Sequence, residues 1–177
     1  MHLEYFDYDL DSVQKFIATA KSQGLDEIGI SEHSHTFPEF EKFYYDDLIL
    51  DDSFVGNFQR RWLKRNKFKH SIDEYFEFMS KLQRANPDLP IKIGIEVCNF
   101  KDQSAVKKIL DSYDFDYIIG SIHFLDGWAF DSSEIVDEWN RRSLKWIYET
   151  YAHEVEKLAI GGCYDVLGHP FNIRLFK

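Results

Sequence analysis

Four residues able to hold a metal cation recur at equivalent places along the chain: His33, Glu96, His123 and His169. Each closes, or stands near the end of, a short apolar run. Glu27-Ile28-Gly29-Ile30 continues through Ser31-Glu32 to His33, and Ile91 to Val97 carries Glu96 near its end. Tyr117 to Ile122 leads to His123, and Asp165 to Gly168 leads to His169. Chance would scatter the seven histidines among helices and loops, so three of them at run ends argue for one shared site. Imidazole suits zinc, iron and manganese, and a carboxylate can bridge two ions. Cys98 and Cys163 are the only cysteines, too few and too far apart for a disulfide framework or a thiolate zinc site. They read as small buried apolar residues. The donor set therefore points to a hydrolytic centre, in which metal lowers the pKa of bound water and supplies hydroxide near neutral pH.

The elements that must position these residues alternate. Asp11-Ser12 suits a helix cap ahead of Val13, Phe16, Ile17 and Ala20, and Gly24 suits its stop. A second helix starts at Ser71, where Glu74 completes a capping box, and carries Ile72, Tyr75, Phe76, Met79 and Leu82. A third spans about Gln103 to Tyr113. A long one runs from about Arg142 to Ile160, with Leu144, Ile147, Tyr148, Tyr151, Val155 and Leu158 inward, and ends at Gly161-Gly162. Helix–strand alternation of this kind predicts parallel strands with helical crossovers, hence an α/β layer or barrel. In such folds ligands collect at the C-terminal edge of the strands, where the four residues above fall. Residues 35–70 are the irregular part: an acidic, aromatic first half, then a basic half with Arg60, Arg61, Lys64, Arg65, Lys67 and Lys69. An insertion this long reads as a lid or binding loop.

Composition sets limits. The chain has 177 residues, 44% hydrophobic and 29% charged, which suits one domain with a real core. The formal net charge of −10 argues against broad nucleic-acid or acidic-membrane binding, which needs clustered Lys and Arg. No apolar run approaches the roughly 20 residues of a membrane helix. Met1-His2-Leu3-Glu4 does not read as a signal peptide, so the expected location is the cytoplasm.

The segments Glu27–His33, Gly94–Val97, Gly120–Phe124 and Asp165–Pro170 resemble successive motifs of the PHP (polymerase and histidinol phosphatase) superfamily. The wording from His123 through Asp126-Gly127-Trp128-Ala129-Phe130-Asp131 is closest to its histidinol-phosphatase branch. The resemblance implies a distorted seven-stranded β/α barrel of TIM-like type, with two or three divalent ions (zinc, manganese or iron) at the strand ends. It implies His2, His33, Glu96, His123 and His169 as metal ligands, Glu96 bridging. The implied reaction is hydrolysis of a small-molecule phosphate monoester, histidinol phosphate first, with a nucleotide or other phosphoester as the alternative. A non-catalytic metal-binding remnant is the reading from a different class.

The chain departs from the family at several places. The first strand of its His-x-His motif and the closing Asp-x-His are absent, so the expectation is an incomplete barrel over 1–177 that binds metal poorly and turns over little. Glu4 or Asp7 stands where another histidine is common, and Phe171-Asn172 where Asp is common. For the substrate phosphate the candidates are Arg174, just past His169, Arg60 and Arg61 in the basic run, and His35. His70 reads as a solvated loop residue and His153 as surface, and Phe124 and Trp128 as loop residues able to wall a pocket.

Overall fold

The computed structural model describes residues 1–3, 8–65 and 67–176. Helix α1 (Leu10–Ser22) is capped by Asp9, whose carboxylate accepts from the Ser12 backbone at 3.0 Å, and not by the Asp11-Ser12 pair. An acceptor one residue earlier reaches the same first-turn amide. Val13, Ile17 and Ala20 are buried while Phe16 is 42% exposed, so the inward stripe is narrower than the apolar pattern. Strand β1 (Ile28–His33) follows.

Residues 35–70 do not form an irregular loop. Helices α2 (Glu41–Asp47) and α3 (Phe54–Leu63) occupy much of the segment, because Phe40, Tyr44, Val55, Phe58 and Leu63 give it apolar faces to bury. Helix α4 (Ile72–Ala85) opens on the capping box: Glu74 N–H donates to Ser71 Oγ at 3.1 Å, and Ser71 N–H donates to the Glu74 carboxylate at 2.8 Å. Its deepest residues are Ile72, Tyr75, Met79 and Leu82. His70 is half-buried against Tyr8, ring centroids 4.3 Å apart, rather than solvated.

Strands β2 (Ile91–Cys98) and β3 (Tyr117–Ser121) flank helix α5 (Gln103–Leu110). Beyond β3 the chain makes a tight hairpin, β4 (Phe124–Leu125) with β5 (Trp128–Ala129). Asp126 and Gly127 form its two-residue turn with φ of 47° and 79°, and Asp-Gly favours that left-handed pair. Phe124 and Trp128 thus belong to strands, not to a loop. Helix α6 (Glu138–Arg141) leads to α7 (Leu144–Gly161), which ends at Gly162 in a left-handed cap with φ of 63°. Ile147, Tyr151 and Leu158 face inward, but Leu144 and Tyr148 are 49% and 41% exposed. Short strand β6 (Val166–Leu167) completes a parallel sheet of order β1-β2-β3-β6. The architecture is mixed α/β with four parallel strands, and among the described residues no helix is long and apolar enough to cross a membrane.

Close approach fixes the sheet. The Tyr117 ring lies over Gly94, where a Cβ would stand 2.3 Å from it. From the core, the Tyr75 hydroxyl shares its proton between the carbonyls of Ile30 and Gly94, 3.0 Å from each. Gln59, fully buried on α3, holds the hairpin: its Nε2 donates to Ile49 O at 2.7 Å and Gly127 O at 3.0 Å, and its Oε1 accepts from Ala129 N–H at 2.8 Å. Gln59→Leu keeps the bulk and removes all three bonds. It should lower unfolding stability by about 1–3 kcal/mol, the cost of stranding buried polar groups; urea denaturation checks this, and an unchanged midpoint would refute the clamp.

Candidate metal centre

Parallel register brings the candidate ligands to one edge. His33 is the last residue of β1 and pairs directly with Glu96 on β2. His123 and His169 each lie two residues past the ends of β3 and β6. Residues 1–3 run beside the other edge of β1: Ser31 N–H donates to Met1 O at 2.9 Å, and Leu3 N–H donates to the buried Glu32 carboxylate. That path carries His2 to the same place.

Glu96 is 5% exposed and stands at the middle. His123 Nε2 and His169 Nε2 approach its Oε1 at 3.1 and 3.0 Å, while His2 Nε2 lies 3.6 Å from Oε2. The His2 and His33 rings stack at 3.8 Å, and those of His123 and His169 are 5.0 Å apart. Two triads result, His2–His33–Glu96 and Glu96–His123–His169, each with ligand atoms within 4.8 Å of one another. One carboxylate shared by two histidine pairs is a geometry that could hold divalent cations. His169 has a φ of 25°, a left-handed backbone that costs a non-glycine residue about 1–3 kcal/mol and is characteristic of functional positions.

The ring orientations fit cations better than bare hydrogen bonds. His2 Nδ1 meets the Ser31 carbonyl, so that nitrogen carries the proton and Nε2 turns a lone pair toward Glu96. Burial first, then neighbouring His33, pulls the His2 pKa down and keeps the ring neutral. A lone pair facing a buried carboxylate is repulsive unless positive charge lies between them. Burial alone would raise the Glu96 carboxyl, yet the donors on His123 and His169 hold it well below the usual carboxylate range. For His123, burial opposes the charged form, but its pKa sits well above the ordinary imidazole value. We ascribe that to the Asp131 and Glu96 carboxylates, because burial pushes the nearby Cys98 thiol up and leaves it neutral.

Two further side chains support the candidate ligands. Asp131 accepts from His123 Nδ1 at 2.6 Å and from Asn172 Nδ2 at 3.1 Å, a carboxylate–histidine pair of the kind that orients metal ligands. The motif wording that runs from His123 through Asp131 carries this residue in the sequence, without its role. Asn99 fixes the backbone beneath: its Oδ1 accepts from His123 N–H at 3.1 Å, and its Nδ2 donates to Phe124 O and to buried Glu154. Nothing in the sequence marked Asn99.

The remaining candidates are dispersed. His35 is buried beside His33, ring centroids 4.7 Å apart. Arg60 is engaged by the Leu50 carbonyl, Asp52 and Asn57 at the start of its own helix. Arg61 and Arg174 are exposed, Arg174 on a 3-10 turn after Asn172, and His153 is exposed on α7. Glu4 and Asp7 lie outside the described residues.

A mixed α/β fold whose parallel strands deliver histidines around one carboxylate defines a class of metal-handling domain, and sequence comparison assigns the family. The chain belongs to the PHP domain family, which it matches over residues 1–177. It is 32% identical over 108 residues to a probable histidinol-phosphatase of Deinococcus radiodurans, covering 58% of this chain and 41% of that protein. It is 38% identical over 63 residues to a probable histidinol-phosphatase of Clostridium acetobutylicum, covering 36% of this chain and 24% of that protein. The chain thus matches less than half the length of either relative.

Two outcomes follow from the site's electrostatics. Asp131→Asn, which cannot accept the His123 proton in the same way, should weaken metal affinity about 10–100-fold at unchanged fold, as loss of an orienting partner does; metal titration monitored with circular dichroism checks it. In the cation-free protein the raised His123 pKa contributes stability that is complete below about pH 6.5 and is lost as pH rises through its folded value. The depressed Glu96 acts oppositely, stabilising above the ordinary carboxylate range and failing only as pH falls through its folded value. A cation must therefore displace the His123 proton, so affinity should increase with pH and binding should release protons. Calorimetry in buffers of different ionisation enthalpy reads that release; buffer-independent heats would contradict it.

Proposed function

We propose that this protein is a metal-dependent phosphomonoester hydrolase whose substrate is histidinol phosphate. The observation that carries the reading is the sharing of one buried carboxylate, Glu96, between His2–His33 and His123–His169. The names of the two relatives favour the substrate, and the family assignment favours the reaction class. The cavity beside His33 and His123, about 160 Å³, suits a small organic group.

His2, His33, Glu96, His123 and His169 are the ligands in this reading, for two or three divalent ions such as zinc, manganese or iron. Bound there, such ions supply positive charge for the phosphate oxygens and lower the pKa of water to near neutrality. The chain's own contribution is orientation. Asp131 holds the proton of His123 on Nδ1 and the Ser31 carbonyl holds that of His2, so each ring turns Nε2 inward. Burial of Glu96 keeps bulk water from competing for its oxygens. Arg174, exposed just past Asn172, is the cation we assign to a phosphate oxygen, and His35 lines the cavity. Arg60 has its donors engaged elsewhere, and we give it and Arg61 no part in binding.

We read the parallel sheet as one arc of a distorted β/α barrel. Val166, Leu167 and Phe171 are 47%, 36% and 76% exposed beside β6, apolar surface that further barrel units would cover. Residues 35–70, with α2 and α3, form the wall over the site.

Full-length protein loaded with zinc, manganese or iron should hydrolyse histidinol phosphate and lose that activity on chelation. Glu96→Gln should remove at least about a hundredfold of kcat/KM together with bound metal. Metal-replete, folded protein that ignores histidinol phosphate and cleaves another phosphoester would overturn the substrate; no stoichiometric metal at all would overturn the centre.

A further inference from the structure

We propose that α7 is the positioning helix of the Glu96–His123–His169 triad, and that Glu154 and Tyr151 on it set where His123 and His169 stand. The inference rests on the metal-centre part of the reading above and goes beyond it, since neither residue is itself a candidate ligand. Both are buried, Glu154 at 8% and Tyr151 at 6% exposure, on the inward face of α7 with Ile147 and Leu158. Three residues apart on a helix, they are neighbours on that face. Each reaches, through its polar atoms, toward a loop that carries one histidine of the triad.

The sheet holds only half of the cluster. His33 and Glu96 lie within β1 and β2 and pair with each other, whereas His123 and His169 lie beyond the ends of β3 and β6 and need another anchor. For His123 that anchor is the Asn99 amide, whose Oδ1 accepts from the N–H groups of His123 at 3.1 Å and Phe124 at 3.3 Å. Turned the other way, the same amide would set its Nδ2 against two N–H donors. Its Nδ2 instead donates to Phe124 O at 2.8 Å and to Glu154 Oε2 at 2.9 Å. A carboxylate only accepts, so Glu154 and the Phe124 carbonyl together lock the amide with Oδ1 toward His123. Lys157 Nζ lies 2.9 and 3.0 Å from the two Glu154 oxygens and offsets the buried charge.

For His169 the anchor is Tyr151, whose hydroxyl donates to Pro170 O at 3.0 Å, the carbonyl next along the chain. On the other side of His169, Gly168 N–H donates to Gly120 O at 2.9 Å. The left-handed backbone of His169 persists only where its surroundings over-determine it, and these two bonds bracket it. Tyr151 is held in turn against Phe130, ring centroids 5.8 Å apart. One helix thus sets the spacing of two loops, and with it the 5.0 Å between the His123 and His169 rings. His2 and His33 are tied to β1 and owe nothing to α7.

The test uses Glu154→Met, which keeps the length of the side chain and removes its acceptors, beside Glu154→Gln, which keeps one for Asn99. In metal-free protein, hydrogen exchange of the His123 and Phe124 amides, followed by NMR, should quicken at least about tenfold in Glu154→Met and stay near wild type in Glu154→Gln. Zinc affinity should fall about tenfold in Glu154→Met and about threefold in Tyr151→Phe, with Glu154→Gln again near wild type. Asn86→Ala is the control: it removes a buried bond to Leu82 O at the C-terminal end of α4, and should cost stability while leaving zinc affinity unchanged. Amide exchange or zinc affinity unmoved in folded Glu154→Met protein, or an equal loss of affinity in Asn86→Ala, would overturn the proposal. If Glu154→Met does not fold, Tyr151→Phe decides, and unchanged zinc affinity there overturns it as well. Wild-type protein that takes up no zinc, while the two amides still quicken in Glu154→Met, leaves the positioning role of α7 standing and removes the metal reading.

Discussion

A carboxylate charge 5% exposed to solvent governs the arrangement of this protein. Removing Glu96 from water costs several kcal/mol unless positive charge and hydrogen bonds replace the lost hydration. His123 and His169 provide for that at one carboxylate oxygen, and His2, stacked on His33, stands 3.6 Å from the other. They come from four segments far apart in sequence, so the cost of burying one side chain ties four stretches of chain together. The same arrangement is why the site is suited to cations: a fixed negative charge faced by imidazole nitrogens is most stable with positive charge between them, whether the His123 proton or a metal ion.

Precision in that cluster is a property of its support. Parallel pairing places His33 directly across from Glu96, and a one-residue slip would turn one of the two to the opposite face of the sheet. Tyr117 over Gly94 and Tyr75 beneath the β1–β2 pair hold that register from either side. Asn99 and Asp131 then fix His123 at its backbone and at its ring. The helical segment from 35 to 70 adds Trp62 and Tyr44 as a wall, and Gln59 ties that wall to the hairpin that carries the chain to Asp131. Packed strands and helices therefore hold the histidine cluster around Glu96, which is what a preorganised site requires.

The sequence by itself determined the element types and the strand-end positions of His33, Glu96, His123 and His169. Those properties are local: apolar runs set the strands, and the Ser71–Glu74 box starts its helix whatever the rest of the chain does. Sequence reasoning also carried the family motifs, because they are contiguous words. It misread the segment 35–70, whose helices are stabilised by burying Tyr44 and Phe58 on distant partners. It also overcounted the inward faces of α1 and α7, since a stripe of apolar residues does not say how wide its neighbour is. The Asp-Gly hairpin signal was present and passed over.

Only the tertiary structure decided which polar residues meet. Asp131 reaches His123, Asn99 reaches backbone 24 residues away, and Arg60 turns back on its own helix and away from a substrate. Such pairings depend on the placement of backbones by packing, and side-chain reach of a few ångströms cannot be read from residue types or spacing. The physical reason is that covalent order fixes local conformation, whereas contacts between distant segments exist only after the core has closed.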